Sequence, residues 1–303
     1  LAGSSTTTPD WGIVASRIRN EATDDWNDQV AVDRFTGNGG TFVRGYGKII
    51  GPRVVEVDGV RYTATKALVI AAGTKAAIPP IPGLDTVPFW TNREALKSRE
   101  VPESLVVLGG GAIGCELAQV FNRFGSKVTI IEAAPRLIAL EEPEAGEILA
   151  QSLTDDGISV IVGVGAKSVA KDAATGDVSV TLADGSVVSG AVLLVATGRT
   201  SDLKSISAEV LGVDPKTHRA LPTNNFLEVV DDSDSIVSGV YAIGDVAGKG
   251  AFTHVAVTQG RMVADQILGK PTAPWDTRQV GHVTFTDPEV GAVGLTEDAA
   301  RNA

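Results

Sequence analysis

Three glycines and one glutamate have the spacing of a dinucleotide-binding site. Gly109, Gly111 and Gly114 form a G-x-G-x-x-G pattern directly after the apolar run 105–108. In this pattern the first glycine allows a tight turn, the second lets the backbone approach a pyrophosphate, and the third lets helix and strand pack closely. Glu132 follows 18 residues after Gly114, close to the ~20 residues expected for the acid that binds a ribose. A loop without a ligand is the simpler alternative, and the strand–turn–helix–strand context argues against it.

The charges after the second strand bear on the choice of dinucleotide. Residues 132–136 read Glu-Ala-Ala-Pro-Arg. A carboxylate suits the free 2′-hydroxyl of NAD, whereas the 2′-phosphate of NADP needs cations. We interpret Arg136 as a solvated loop residue, which favours NAD and leaves NADP open.

A second chemical signal is an acid at the end of another apolar run. Residues 239–248 place Gly244 and Asp245 directly after the run 240–243. In an α/β sheet this is the edge where ligands bind. An aspartate that caps the next helix is an equally simple explanation of Asp245 taken alone.

The surrounding pattern predicts an α/β fold that would position these residues. Short continuous apolar runs are typical of parallel strands buried on both faces by helices. These runs span residues 68–72, 105–108, 128–131, 158–162, 192–196 and 240–243. Helices are predicted at 112–124 and 144–155 from their apolar spacing. Two alternating stretches, 54–65 and 178–188, predict antiparallel hairpins.

Two segments of the chain are near-copies of each other. Residues 68–74 read Leu-Val-Ile-Ala-Ala-Gly-Thr, and 194–200 read Leu-Val-Ala-Thr-Gly-Arg-Thr. Similar strand ends suggest two related nucleotide-binding halves. Proline-rich boundaries are predicted at 78–83 and 271–274.

Composition excludes several classes of function. The chain has 303 residues and a formal charge of −11, which argues against a nucleic-acid partner because phosphate binding needs lysine and arginine. No run approaches the 18 or more apolar residues of a membrane span, so we expect no membrane partner. With one cysteine, Cys115, no intrachain disulfide can form. We predict a cytoplasmic protein and no metal site.

Three segments together resemble the pyridine nucleotide–disulfide oxidoreductase family, and the resemblance extends from about residue 12 to the end. They are residues 194–203, 239–248 and 282–297. The resemblance implies two Rossmann-like domains for FAD and NAD(P), with antiparallel hairpin insertions, and the start of an α+β interface domain. The corresponding domains are 1–92 and 213–277 for FAD, 93–212 for NAD, and 278–303 for the start of a dimerisation domain.

The resemblance also assigns cofactor residues. For FAD it implies Asp245 on the ribityl chain and backbone contacts at the other positions; the set is Gly47, Gly73, Gly244, Asp245 and Thr253. For NAD it implies the glycine motif with its neighbours, the acid and two further positions; the set is Gly109, Gly111, Ala112, Ile113, Gly114, Glu132, Ala166 and Gly198.

One further residue, Glu116, matches a family glutamate near flavin and nicotinamide that pairs with a lysine beside the redox cysteines; a first-turn acid favoured by the helix dipole is the alternative. Ala112 stands where some members have a tyrosine that covers the flavin. Cys115 matches a packing position. The three histidines, His218, His254 and His282, are interpreted as structural or surface residues.

The family's first FAD fingerprint, its C-x-x-x-x-C pair and its catalytic His–Glu pair have no counterpart in these residues. We therefore expect an internal fragment of a homodimeric enzyme that passes hydride between NAD(H) and flavin and electrons on to a small-molecule or lipoyl-type disulfide, as in dihydrolipoamide dehydrogenase. The fragment alone is expected to be nearly inactive. Alternatives are another reductase of the family such as mercuric reductase, a ferredoxin-reductase-type flavin reductase without a redox disulfide, or a nucleotide-binding module that has lost catalysis.

Overall fold

The computed structural model describes residues 8–303, and residues 1–7 of the predicted first FAD segment lie outside this range. The first part of the range forms two helices that the sequence analysis did not predict, followed by a three-stranded antiparallel sheet. These elements are α1 (Trp11–Arg17), α2 (Gln29–Gly37), β1 (Lys48–Gly51), β2 (Val54–Val57) and β3 (Val60–Thr63). The turn between β2 and β3 holds Asp58 and Gly59 at φ angles of 48° and 80°. These positive angles explain why an Asp-Gly pair is found there.

The middle of the chain comprises β4 (Leu68–Ile70), β5 (Lys75–Ala76), α3 (Asn92–Lys97), β6 (Ser104–Leu108), α4 (Ala112–Arg123), β7 (Lys127–Glu132), α5 (Pro143–Asp155), β8 (Ser159–Val162), β9 (Ala166–Lys171), β10 (Val178–Leu182), β11 (Val187–Gly190), β12 (Val192–Val195) and β13 (Arg199–Thr200). It contains the predicted strand–helix alternation from β6 to β8, followed by a run of strands. The remaining elements are β14 (Glu228–Val230), β15 (Ile236–Ala242), α6 (Thr253–Ile267), β16 (Gly281–Thr284), β17 (Val290–Val293) and α7 (Glu297–Arg301).

A four-stranded parallel sheet with the order β12-β6-β7-β8 forms the centre of the molecule. Side chains of β6 alternate between its two faces: Leu105 and Val107 pack in a cluster with α4 and α5, and Val106 and Leu108 pack with residues of β9 and β10. Each fully buried side chain of this kind contributes about 1.5–3 kcal/mol. The continuous apolar runs are thus buried on both faces, but an antiparallel sheet of β9, β10 and β11 replaces helices on one face.

A second sheet has the order β14-β15-β4. Strands β15 and β4 are parallel, although they are far apart in the chain, and β14 runs antiparallel to β15. Its apolar residues Ile70 and Val240 form a separate cluster with Leu203 and Leu221, which lie outside the strands. The parallel central sheet and this mixed sheet therefore have separate cores.

The near-copies 68–74 and 194–200 meet at a junction between the two sheets. Strands β5 and β13, which follow β4 and β12, pair antiparallel, with Lys75 opposite Thr200 and Ala76 opposite Arg199. A salt bridge of 2.6 Å between Lys75 Nζ and Asp202 Oδ2 lies beside this pairing.

The hairpin of β16 and β17 docks on the outer face of α4. Gln119 accepts a hydrogen bond from the backbone N–H of Asp287 (2.8 Å) and donates one to its carbonyl oxygen (2.9 Å). Arg123 forms an ion pair with the carboxylate of Asp287 at 2.7 Å. No helix of residues 8–303 is both long and apolar enough to cross a membrane.

Candidate nucleotide-binding site

The glycine motif lies between a buried strand and an uncapped helix. Gly109 follows β6 at a φ angle of 108°, and a Cβ there would overlap the carbonyl oxygen of Ala196. A Cβ on Gly114 would overlap the carbonyl oxygen of Gly109. By contrast, no atom lies within 4 Å of a Cβ built on Gly111. The first and third glycines are therefore required by packing, whereas the second borders open space.

The N-terminus of α4 provides free backbone donors at this open space. Gly111 is the N-cap residue and has no side chain to accept from the first turn. Ala112 and Ile113 are the first two helical residues, so their N–H groups have no partner within the helix. Such an N-terminus attracts anions because its N–H groups and the helix dipole both favour negative charge.

Glu132, the last residue of β7, uses one carboxylate oxygen to bind the glycine loop and the other to bind the segment that follows β7. Oε2 accepts from the N–H of Gly110 and Oε1 from the N–H of Ala134, each at 2.6 Å. A Cβ on Gly110 would lie 2.5 Å from Leu137 Cδ2. The loop thus passes directly against the acid, and Glu132 holds it in shape. Each oxygen keeps a second lone pair that can accept a further hydrogen bond.

The single cysteine also contacts the glycine loop, from the first turn of α4. Cys115 is buried and its thiol donates to the carbonyl oxygen of Gly110 at 3.3 Å. Burial, together with the nearby negative charges of Glu132 and Glu116, raises the pKa of this thiol to about 12. A thiol with this pKa stays protonated near neutral pH, so it is a packing residue rather than a nucleophile.

The interpretation of Arg136 as a solvated loop residue is wrong. Its Nη2 donates to the carbonyl oxygens of Ala139 (2.9 Å) and Glu141 (3.1 Å), and the side chain packs near Gly146. The chain curls back after residue 136, so backbone carbonyls of the next turn capture the guanidinium. The cation that could have served a 2′-phosphate thus donates to the protein's own backbone through Nη2.

Ala166 and Gly198 lie at the same edge of the parallel sheet. Ala166 begins β9, and the preceding residues run beside the end of β7, where the N–H of Gly163 donates to the carbonyl oxygen of Ala134 at 2.8 Å. Gly198 follows β12 at a φ angle of 110°, with open space around its α-carbon. The structure therefore brings the predicted NAD positions to the carboxyl ends of β6, β7 and β12.

Asp245 lies at the carboxyl end of the second sheet. Gly244, at a φ angle of 69°, turns the chain after β15, and its N–H donates to Oε1 of the buried Gln259 at 2.7 Å. Asp245 Oδ2 accepts from the hydroxyl of Thr74 at 2.8 Å and lies 3.8 Å from Arg199 Nε. Thus the strand end that carries Asp245 meets the two near-copies at the junction.

The other predicted FAD positions differ in how close they lie to this strand end. Gly73, at a φ angle of 67°, directly precedes Thr74. Thr253 begins α6, whose N-terminus has no side-chain cap. Gly47 instead precedes β1 of the three-stranded sheet, where a Cβ would lie 3.1 Å from Val55 Cγ1. Gly73 is thus next to Asp245's contact residue, whereas Gly47 belongs to another sheet.

Glu116 is half-buried on α4 and accepts from the N–H of Phe285 at 2.8 Å through Oε1. Its predicted pairing with a lysine outside this sequence stays a prediction. The histidines make local contacts: His218 with Asp232 at 2.8 Å and His282 with Glu141 at 2.8 Å.

The third histidine, His254, contacts the carbonyl oxygen of Gly281 at 2.9 Å through Nε2. Its ring and that of His282 each stack on Phe252, with centroids 5.7 and 5.6 Å apart. These contacts join α6 to β16, as expected for structural residues.

Sequence reasoning missed four residues of these sites: Gly110, Thr74, Arg199 and Gln259. The near-identity of the two strand ends was a signal for Thr74 and Arg199, because it singled out both segments. Nothing in the sequence indicated that the two would touch.

A glycine loop between a buried parallel strand and an uncapped helix, with an acid on the next strand, defines the class of dinucleotide-binding α/β proteins. Residues 5–260 match the family described as pyridine nucleotide-disulphide oxidoreductase, and the chain belongs to this family. Members use FAD and a nicotinamide nucleotide.

Similar proteins include two kinds of enzyme. A mercuric reductase from Staphylococcus aureus is 33% identical over 271 residues, covering 89% of this chain and 48% of the relative. A dihydrolipoyl dehydrogenase from Thermus scotoductus is 35% identical over 275 residues, covering 88% and 57%. The chain thus spans about half the length of the curated relatives it matches.

A solved structure shares the fold over almost the whole chain. The HOCl-induced flavoprotein disulfide reductase RclA from Escherichia coli superposes with a TM-score of 0.83 at 27% identity. The similarity covers 98% of this chain and 66% of that protein. The predicted α/β fold with two Rossmann-like units is confirmed.

Proposed function

We propose that this chain holds the nicotinamide- and flavin-nucleotide sites of a flavin-dependent disulfide oxidoreductase. In the whole protein, hydride would pass between NAD(H) and FAD, and electrons would move on to a disulfide substrate, as in dihydrolipoamide dehydrogenase. The observation that carries the proposal is the uncapped N-terminus of α4, which a glycine loop joins directly to a buried strand. Membership in the family supports the flavin half.

The NAD pyrophosphate would bind at the open space beside Gly111. The N–H groups of Ala112 and Ile113 would donate to it, while Gly109 and Gly114 allow the strand and helix to approach closely. Ala166 and Gly198 would border the same nucleotide from neighbouring strand ends.

NAD fits this site better than NADP. The carboxylate of Glu132 would accept hydrogen bonds from the ribose hydroxyls through its unused lone pairs, and it would repel a 2′-phosphate. The guanidinium of Arg136, the nearby cation in the sequence, donates instead to the carbonyl oxygens of Ala139 and Glu141.

FAD would bind along the carboxyl end of β15 and the start of α6. Asp245 keeps Oδ1 without a hydrogen-bond partner among residues 8–303, so it can accept from the ribityl hydroxyls. Thr253 offers a backbone donor at an uncapped helix end. Gly47, Gly73 and Gly244 would give the cofactor close approach to the backbone.

Glu116 would support the region between flavin and nicotinamide, since its Oε2 has no partner among the described residues. The small Ala112 would leave the nicotinamide position open. We further propose a homodimer in the whole protein and the domain division 1–92 with 213–277, 93–212, and 278–303. The separate apolar clusters of the two sheets support two units, although Trp11 and Leu84 pack with the central sheet and Leu211 packs with the other sheet.

Calorimetric titration of this chain with NADH and with NADPH, together with FAD and FMN, tests the proposal. We expect NADH to bind more tightly than NADPH, and FAD more tightly than FMN, because FMN lacks the adenylate half. Equal affinities for NADH and NADPH would contradict the role of Glu132. Absence of any binding of NADH would refute the proposal as a whole.

Mercuric reductase is the second candidate for the whole protein, because relatives of both kinds have similar identity to this chain. The full-length protein would be assayed for NADH oxidation with lipoamide and with Hg²⁺ plus thiol. Activity with lipoamide alone would favour the dehydrogenase, and activity with Hg²⁺ alone the mercuric reductase.

A further inference from the structure

A chain of hydrogen bonds crosses the junction between the central sheet and the sheet of β4, β14 and β15, and it ends on Asp245. Arg199 Nε donates to the hydroxyl of Thr74 at 2.7 Å, and that hydroxyl donates to Asp245 Oδ2 at 2.8 Å. We propose that Arg199 and Thr74 are positioning residues that fix the Asp245 carboxylate for flavin binding. The inference rests on the proposed role of Asp245.

The direction of this chain follows from the chemistry of its three groups. A guanidinium N–H can only donate, and an ionised carboxylate can only accept. The hydroxyl of Thr74 has a single proton, so it accepts from Arg199 and must give that proton to Asp245. Hydrogen bonds aligned in this way polarise one another, and both ends carry charge.

The arginine is itself held in place by a second contact. Its Nη2 donates to the carbonyl oxygen of Thr74 at 2.7 Å, so the guanidinium binds both the side chain and the backbone of Thr74. Its Nε also lies 3.8 Å from Asp245 Oδ2. A lysine could not make this two-point contact because it lacks the planar fork.

These contacts leave the Asp245 carboxylate with one oxygen that accepts a hydrogen bond and one that is available to a ligand. Oδ2 takes the hydroxyl of Thr74 and the nearby positive charge, and Oδ1 has no partner among residues 8–303. The side chain of Asp245 is 26% exposed, so without these contacts it could rotate. Fixing Oδ2 removes rotamer freedom that ligand binding would otherwise have to remove.

The residues that do this come from both sheets. Thr74 follows β4 in the same sheet as β15, whereas Arg199 begins β13 directly after the central sheet. The alternative is that the chain only strengthens the junction. Lys75 offers a matched control, because its ion pair with Asp202 also stabilises the junction but does not touch Asp245.

FAD affinity of the full chain, measured by flavin fluorescence, separates these explanations. Thr74→Val removes the hydroxyl and should weaken FAD binding about tenfold, the loss expected for a hydrogen bond to a charged group. Thr74→Ser keeps the hydroxyl, and Lys75→Gln leaves Arg199, Thr74 and Asp245 unchanged. The FAD affinity of both variants should therefore stay within about twofold of the wild type. Similar losses for Thr74→Val and Lys75→Gln would overturn the positioning role.

A second measurement does not depend on flavin. In protein labelled with ¹⁵N-arginine, exchange of the Arg199 Nε–H with solvent should be faster in Thr74→Val than in the wild type or Thr74→Ser. Equal exchange in all three would overturn the hydrogen-bond chain itself. If exchange responds as expected but Asp245→Ala retains full FAD affinity, the proposed flavin role of Asp245 fails, and with it the positioning role.

Discussion

Replacing Glu132 by alanine removes two charge-assisted hydrogen bonds at once, those from the N–H groups of Gly110 and Ala134, each 2.6 Å long. The buried N–H of Gly110 and the half-buried N–H of Ala134 lose their partner, and the glycine loop loses the contact that holds it against β7. A hydrogen bond to a charged group contributes about 1.5–3 kcal/mol, and the bound ribose would lose a further acceptor. Water can reach part of this site, which reduces the net effect. We therefore expect NADH binding to weaken by about 1–3 kcal/mol, or roughly 5- to 150-fold in Kd.

Calorimetry with NADH measures this loss directly. Glu132→Gln is the informative second variant, because the amide oxygen can accept from one N–H but its NH₂ group would face the other donor. Glu94→Ala is a matched control: Glu94 also accepts from a backbone N–H, that of Thr91 at 2.8 Å, but it lies in the cap of α3. It should lower stability without changing NADH affinity.

The reasoning would be refuted if Glu132→Ala bound NADH as tightly as the wild type while remaining folded. A loss of NADH affinity in Glu94→Ala of the same size would show that general destabilisation, rather than the loop, controls binding.

Three further predictions concern the glycine loop and the residues that follow Glu132. Gly114→Ala should destabilise the fold by at least ~1–3 kcal/mol, because the new Cβ would overlap the carbonyl oxygen of Gly109. Gly111→Ala should fold normally and weaken NADH binding. Equal melting temperatures for the two variants would contradict the steric role of Gly114. Cys115, whose pKa is raised to about 12, should resist a thiol reagent at pH 8 and react only after denaturation; stoichiometric labelling of the native protein would show the thiol to be accessible and ionised. Arg136→Ala should leave the affinity for NADPH unchanged and lower the melting temperature, and a selective loss of NADPH binding would reassign this arginine to the nucleotide.

The buried parallel strands and the two hairpins at 54–65 and 178–188 were predictable because burial on two faces and Asp-Gly turns leave direct marks in the sequence. The β6–α4 connection shows this best, since the glycines report steric demands that only one residue type meets. The short strands β5 and β13 and the strands β1, β9 and β14 were not predicted. Arg136 was misread because its partners are backbone carbonyls, which every residue has and no side-chain pattern reveals.

The contact between Thr74 and Arg199 could not be predicted from the sequence either. Each residue occurs in a recognisable strand end, but their separation of 125 residues is bridged only by the way the two sheets are set against each other. The helices α1 and α2 were missed because neither has a regular apolar stripe over several turns.

The junction of β5 and β13 has a consequence for how the chain folds. Thr74 and Asp245 are 171 residues apart, so pairing β4 with β15 in an open chain would require the closure of a very long loop. Once the central sheet has formed and β5 has paired with β13, most of that loop is already ordered and its ends are close together. We therefore expect the central sheet to fold first and the sheet of β4, β14 and β15 to be completed later. This later phase should be slow because its contacts join residues far apart in the chain. Variants that destabilise the junction should slow it further.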